Sequence, residues 1–199
     1  MQDAAQIIGI DYGSKLAGTT AAAFVEDGKL QVSQTQRGQD ADAWILELAS
    51  TLHPKTIYID APLSLPKVYS QGVFTPEAAY FYRACDREVQ AMSPMFIGGL
   101  TARAIQLRAR LAETSIAVLE TYPSQLNKLL FSHLQGYKKS PAALPVFTEA
   151  LQSLLPFPLA QLPANWHQFD SLLAWLSGYR HTLGTSVLYG DAREGRIIV

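Results

Sequence analysis

The sequence predicts an α/β protein built around a mixed β-sheet. Residues 6–36 contain three short apolar runs separated by turn-forming residues, a pattern typical of an antiparallel meander. From residue 41 onward, segments with helical spacing of apolar residues alternate with short strand-like runs. With 199 residues and 48% hydrophobic content, the chain can bury a substantial core. We therefore expect a single domain over residues 1–199.

The first half of the chain predicts three strands, a helix and a fourth strand. The first three strands are expected at residues 6–11, 19–27 and 29–36. Asp27-Gly28 between the second and the third is a tight-turn signal. Apolar residues at helical spacing predict a helix over 41–52, and TIYIDAP at 56–62 predicts a strand closed by proline.

The second half continues the alternation and ends in a long helix. Asn165 and Gln168 form a helix-capping pattern before an apolar segment that ends in glycine, which predicts a helix over 165–184. The other expected elements are helices at 101–114, 124–134 and 145–155, a strand at 115–123, and short strands at 186–189 and 195–199.

Residues 62–100 interrupt this order after the fourth strand. The segment is rich in proline, glycine and aromatic residues and is longer than an ordinary connection. We therefore expect a functional loop or cap, whose apolar and aromatic residues could also be buried in a homodimer.

Composition limits the cellular setting and the kinds of site. The net charge of −1 creates no global attraction for nucleic acid, so a polyanion site must be a local patch. The single cysteine, Cys85, excludes an internal disulfide and a site made of several thiolates. No run reaches the roughly 20 apolar residues of a membrane span, and no basic region precedes the first apolar run. We expect a cytoplasmic protein that does not contact a membrane.

Four acids occupy the ends of predicted elements. Asp11, Asp60 and Glu120 end the first, fourth and fifth strands, and Asp170 lies in the first turns of the last long helix. A carboxylate beside a core strand is costly unless it meets a cation, a donor or water. If the four converge, Mg²⁺ or Mn²⁺ would neutralise them, because hard cations prefer oxygen ligands. The four acids are therefore the candidate catalytic residues and metal ligands.

A simpler interpretation exists for each acid taken alone. An acid that ends a strand is most often a solvated turn former, and Asp170 could serve the helix dipole. The metal hypothesis therefore depends on the set, with Asp11 and Asp60 as its strongest members because their strands are otherwise apolar.

Several stretches resemble one known family. They are IIGIDYGSKLAG, YIDAPLSLP, RACDRE, ETYPSQ, FDSLLAWLSGY and GDAREGRIIV. The chain is similar in these stretches to an uncharacterised family of predicted nucleases with an RNase H-like fold. The resemblance implies a five-stranded mixed sheet of the ribonuclease H and Holliday-junction-resolvase type. It also implies that the acidic site of a nuclease falls on Asp11, Asp60, Glu120 and Asp170.

Basic residues offer candidates for binding the substrate. Arg83 and Arg87 are four residues apart on a predicted helical face, and their guanidinium groups could bind phosphate bidentately. Alternatively, they pair with neighbouring acids on a solvated helix. Lys138-Lys139 is interpreted as ordinary surface, and His167 as a surface or capping residue outside the catalytic set.

Three functions remain open at this point. The first is a metal-dependent nuclease, with DNA or RNA undecided as its partner. The second is a nucleotide-binding phosphotransferase of the actin and sugar-kinase type, because GIDYGSKLAG resembles a first phosphate loop, although 199 residues leave little room for a second domain. The third is a non-catalytic binding protein with the RNase H fold, whose acids are structural.

Overall fold

The structure is a computed structural model that describes residues 4–72 and 74–199. Its strands are β1 (Ile7–Asp11), β2 (Ala21–Glu26), β3 (Lys29–Gln34), β4 (Thr56–Asp60), β5 (Ala117–Glu120), β6 (Leu188–Asp191) and β7 (Gly195–Ile198). Its helices are α1 (Ala41–Leu52), α2 (Lys67–Gln71), α3 (Ala84–Val89), α4 (Gly98–Ala112), α5 (Pro123–Phe131), α6 (Leu144–Gln152) and α7 (Trp166–Thr182). Within the described ranges, no helix combines the length and the apolar character needed to cross a membrane.

Five of the strands form one mixed sheet in the order β3-β2-β1-β4-β5. The meander β1-β2-β3 is antiparallel, whereas β4 and β5 extend the sheet in parallel with β1. Helices pack against both faces, so the predicted α/β fold with a five-stranded mixed sheet is confirmed. Strands β6 and β7 form a separate antiparallel hairpin.

The two faces of the sheet bury different helices. Because side chains alternate along a strand, Ile7 and Tyr58 point to the face that α7 covers, and Ile8 and Ile57 point to the opposite face. The second face is covered by α1 and α4, which contribute Ile45 and other buried apolar residues. All five residues of β1 are buried, which explains the continuous apolar run that the sequence shows there.

Glycines let α7 approach the sheet at backbone distance. A Cβ added to Gly9 in β1 would lie 2.1 Å from the backbone N of Trp175 and 2.5 Å from the backbone O of Ser171. A Cβ added to Gly178 in α7 would lie 2.5 Å from the ring of Tyr58. The helix therefore lies directly on β1 and β4, antiparallel to β1, and its first turns reach the end of β1.

The elements end close to their predicted bounds, with one informative difference. Strand β4 ends at Asp60 rather than at Pro62, because proline has no N–H group for the ladder and β1 ends at the neighbouring position. Residues 62–100, predicted to interrupt the order of elements, contain α2, α3 and the start of α4. Residue 73 of this segment and residues 1–3 lie outside the described residues.

The β6-β7 hairpin fastens the interrupting segment to the rest of the fold. The carboxylate of Glu194 accepts hydrogen bonds from the backbone N of Lys67 at 2.9 Å and of Ala84 at 2.8 Å, at the starts of α2 and α3. Gly190 also donates its N–H to Glu88 at 3.2 Å. One hairpin side chain thus satisfies a backbone donor at each of two helix starts.

Gly9→Ala should destabilise the protein by at least about 1–3 kcal/mol, because the added methyl group would overlap the backbone of α7. Gly99→Ala is the matched control, since a Cβ at this position in α4 meets nothing within 4 Å. The control should be neutral or stabilising by about 0.5–1 kcal/mol. Urea unfolding followed by circular dichroism measures both, and equal stability of the two variants would contradict the close approach.

Candidate functional site

Two of the predicted acids lie side by side at the ends of neighbouring parallel strands. Asp11 at the end of β1 is the register partner of Asp60 at the end of β4. Partners in a parallel pair point to the same face, and adjacent strands lie about 4.8 Å apart. Both carboxylates therefore project toward α7, as the positions of Ile7 and Tyr58 on that face require.

Helix α7 adds Asp170 and a histidine to the same place. Asn165 caps the helix by accepting hydrogen bonds from the backbone N of His167 at 3.0 Å and of Gln168 at 3.1 Å, which confirms the predicted cap. His167 Nδ1 lies 2.7 Å from Asp11 Oδ2. Asp170 follows one turn later and is only 1% exposed.

A loop after α5 completes the site with two residues. Tyr137 donates its hydroxyl hydrogen to Asp170 Oδ1 at 2.7 Å, and the ammonium group of Lys138 forms an ion pair with Asp170 Oδ2. The loop turns through Gly136, at φ 98°, and Lys138, at φ 57°. The prediction that Lys138 is ordinary surface is therefore wrong, whereas Lys139 is exposed as expected.

These three acids, Asp11, Asp60 and Asp170, form what we call the acidic cluster, and their charges are incompletely balanced. Burial, followed by repulsion from Asp11, raises the pKa of Asp60 well above its usual range. Burial raises the pKa of Asp170 to about 6 although Lys138 opposes the shift. Burial alone would lower the pKa of Lys138, but Asp170 and the other two acids raise it, so the ammonium group stays charged.

Glu120 lies at the end of β5 but belongs to the other face of the sheet. Its register partner is Ile59, whose side chain points toward α1 and α4. The Glu120 carboxylate accepts hydrogen bonds from Arg83 at 2.6 and 2.7 Å and from the backbone N of Leu63 at 2.9 Å. The structure thus brings three of the four predicted acids together and gives the fourth a different set of partners.

Arg83 is fully buried and its guanidinium group is committed to protein partners. Its N–H groups make five hydrogen bonds, two to Glu120, two to Asp86 and one to Ser64. Because a guanidinium group carries five N–H donors, none remains for a phosphate group. Burial opposes the charge, but Glu120 and Asp86 raise the pKa of Arg83. Arg87, the other predicted phosphate ligand, is exposed.

The acidic cluster has the right donor chemistry for Mg²⁺ or Mn²⁺, namely buried carboxylate oxygens with excess negative charge. Its arrangement differs from a formed metal centre. Over residues 4–72 and 74–199, no three His, Cys, Asp or Glu side chains are placed so that they could enclose one ion. The Lys138 ammonium group supplies the positive charge there instead.

Two cavities share Glu120 in their linings. The first cavity has a volume of about 140 Å³. It is lined by Asp60 and by mainly apolar residues, among them Leu100 and Tyr122. The second, of about 510 Å³, lies beside β5 and β7 and is lined by Arg108, Arg193 and Arg196. We call the second one the arginine groove. In the part of the chain that the structure describes, these three arginines form no ion pair.

The carboxylates that border the arginine groove offset only part of its positive charge, since among the described residues Glu194 is one unpaired carboxylate against three arginines. Glu120 is bound by Arg83, and Glu194 accepts hydrogen bonds from two backbone N–H groups. His181 also lines the groove, with Nδ1 2.8 Å from the Tyr58 hydroxyl oxygen. The groove is therefore a local cationic surface on a chain whose net charge is −1.

Comparison with solved structures finds chains of similar structure. No family model and no curated protein matches the chain. The yeast mitochondrial Holliday junction resolvase Ydc2 is similar in structure, with 14% sequence identity and a TM-score of 0.42. The similarity covers 89% of this chain and 81% of that chain. The assignment to a predicted nuclease family stays a prediction.

Arg83→Met should destabilise the protein by about 3–5 kcal/mol, because it leaves Glu120 and Asp86 buried without their cation. Arg87→Met, in the helix α3 that Arg83 precedes, is the matched control and should change stability by less than about 0.5 kcal/mol, since Arg87 is exposed. Urea unfolding at pH 7 measures both. A loss of less than about 1 kcal/mol for Arg83→Met would contradict the structural role of this pair.

Proposed function

We propose that the chain is a metal-dependent phosphodiesterase that cleaves nucleic acid. The observation that carries the proposal is the convergence of Asp11, Asp60 and Asp170 at one edge of the sheet. Burial, followed by repulsion from Asp11, raises the pKa of Asp60, and burial raises that of Asp170 although Lys138 opposes the shift. These shifts support a functional site, because ionising the acids together is costly unless a further cation is present. Such a cluster is suited to a divalent cation rather than to packing.

Asp11 and Asp60 would hold the ion, and Asp170 would become the third ligand after a rearrangement of the side chains, because among the described residues no three such groups already enclose one ion. When bound, Mg²⁺ or Mn²⁺ would activate a water molecule and stabilise the leaving oxygen of a phosphodiester. His167 fixes the orientation of Asp11 through the contact between Nδ1 and Oδ2. Glu120, predicted as a ligand from its strand end, fits better as a positioning residue that anchors the backbone after β4 through Leu63.

The arginine groove supports nucleic acid as the substrate class. Arg108, Arg193 and Arg196 line a cavity of about 510 Å³ and have guanidinium groups available for phosphate. A local patch of this kind is what a chain with a net charge of −1 needs to bind a polyanion. Arg87 on α3 is exposed and is a further candidate for such contacts.

One observation favours a second function, a non-catalytic binding protein. Lys138 already neutralises part of the acidic cluster, so the acids could be structural without any metal. A measurement of metal binding distinguishes the two functions. A catalytic site needs the ion, whereas a structural ion pair does not respond to it.

Asp60→Asn should stabilise the metal-free protein by about 1 kcal/mol or more at pH 8. Folding raises the pKa of Asp60, so the wild type loses stability as pH rises from the unfolded pKa to the folded pKa, and the variant avoids this loss. The stability gain of the variant should vanish near pH 4, because below this pH Asp60 is protonated in both the folded and the unfolded wild type. Urea unfolding in EDTA across this pH range measures it.

The same pair of proteins tests the metal. Mn²⁺ should raise the Tm of the wild type at pH 8, so that Asp60→Asn is no longer the more stable protein. The wild type should cleave at least one substrate in a panel of single-stranded, duplex, hybrid and branched nucleic acids, and Asp60→Asn should cleave none. Glu149→Gln, at an exposed position of α6, is the matched control and should behave like the wild type. Absence of any Mn²⁺ effect on the wild type would support the non-catalytic function instead.

Substitutions in the arginine groove should weaken nucleic-acid binding without changing its metal dependence. Arg108→Gln should lower the affinity several-fold and flatten the dependence of log K on log salt by about 0.7–0.9, the effect of one lost phosphate contact. Fluorescence anisotropy with labelled oligonucleotides in EDTA measures binding without cleavage. Arg110→Gln, on the same helix but outside the groove, is the control. Equal losses in the two variants would remove the groove from the binding surface.

A further inference from the structure

Lys138 reaches the acidic cluster from outside it. The side chain is 43% exposed, yet its ammonium group contacts Asp170, which is 1% exposed. Its charge also lowers the pKa of Asp60 against the burial and repulsion that raise it. The lysine therefore acts electrostatically where a divalent ion would act.

The contact between Lys138 and Asp170 is an ion pair that can be exchanged. Lys138 is the ion-pair partner of Asp170 Oδ2, which has no other partner among the described residues. A monovalent ammonium group on a flexible side chain also balances less charge than a divalent cation does. A divalent ion would thus gain more from the same carboxylates.

The loop that carries Lys138 allows the lysine side chain to leave the acidic cluster. Tyr137 is anchored, since it donates to Asp170 and packs against Phe147 and Trp166 at ring-centroid distances of 5.9 and 5.3 Å. Lys138 follows this anchor, and much of its side chain is already in solvent. Its side chain can therefore rotate outward while Tyr137 keeps the loop in place.

We propose that Lys138 is a tethered cation that occupies the acidic cluster in the metal-free protein and is displaced when a divalent ion binds. The proposal rests on the proposed function for the metal itself and adds the regulation of that site. Lys138 offsets the repulsion among the acids in the metal-free protein. It also sets a metal concentration below which Lys138, rather than the ion, occupies the acidic cluster.

Isothermal titration of the EDTA-treated protein with Mn²⁺ at pH 8 tests the competition. Lys138→Met should bind Mn²⁺ about tenfold more tightly than the wild type, because the competing charge is gone. Lys138→Arg should retain the weaker wild-type affinity, since it keeps the charge. Lys139→Met is the matched control, because Lys139 is exposed and adjacent in sequence, and it should also retain the wild-type affinity.

Amine acylation of the wild type tests displacement without any substitution. The protein is treated with an amine-acylating reagent with and without saturating Mn²⁺, and modified lysines are quantified by mass spectrometry. The modification rate of Lys138 should rise several-fold with Mn²⁺, while that of Lys139 should not change. This measurement remains decisive even if Lys138→Met fails to fold.

The outcomes separate this inference from the proposed function. If the wild type binds Mn²⁺ and cleaves nucleic acid, but Lys138 acylation is unchanged by Mn²⁺, the inference is overturned and the function stands. If Mn²⁺ exposes Lys138 and no substrate is cleaved, the inference stands and the nuclease proposal fails. If neither the wild type nor Lys138→Met binds Mn²⁺, both are overturned.

Discussion

The backbone contact between β1 and α7 at Gly9 is the constraint on which the acidic cluster depends. A helix packed on a sheet through ordinary side chains lies about 10 Å away, a separation that a short carboxylate spans poorly. Here the missing Cβ lets the backbone near Trp175 rest on the strand, and the first turns of the helix come down to the strand end. A core packing feature therefore determines whether Asp170 and His167 can reach Asp11.

Two ionic systems lie near the carboxyl ends of the parallel strands, and they differ in how fully their charges are paired. The Arg83 network is saturated, because every guanidinium N–H has an acceptor and both carboxylates are held. The acidic cluster has three carboxylates against Lys138 and a histidine whose pKa Asp11 raises. A saturated network resists rearrangement, whereas a site with excess charge can accept another ion. The Arg83 network is therefore suited to holding the fold in place, and the acidic cluster is suited to binding an ion.

The sequence identified the strand-end acids because their strands were otherwise apolar. Asp11 and Asp60 could be found in this way, and the cap at Asn165 located the start of the helix that carries Asp170. The position of Glu120 could not be found, since a shift of one residue in the register of β5 moves its side chain to the other face. The order of helices and strands along the chain was predictable because it depends on local pattern.

Arg83 and Lys138 show the other limit of prediction from sequence. Both lie in irregular segments, where a charged residue is exposed by default, and only tertiary contacts decide otherwise. Gly136 before Lys138 indicated a turn but gave no direction for the side chains. The same limit applies to Tyr137. An aromatic residue in a sequence predicts packing, and nothing in the sequence indicates that the hydroxyl group of Tyr137 donates to Asp170.

The hydrogen bonds of Glu194 have a consequence for the order of folding. The segment that they fasten begins at Lys67, 127 residues earlier in the chain. During synthesis, that segment leaves the ribosome before the hairpin does, so these two backbone donors bind water until Glu194 is available. Contacts of such large sequence separation slow folding. We therefore expect the contacts between residues 62–100 and the hairpin to form late in folding.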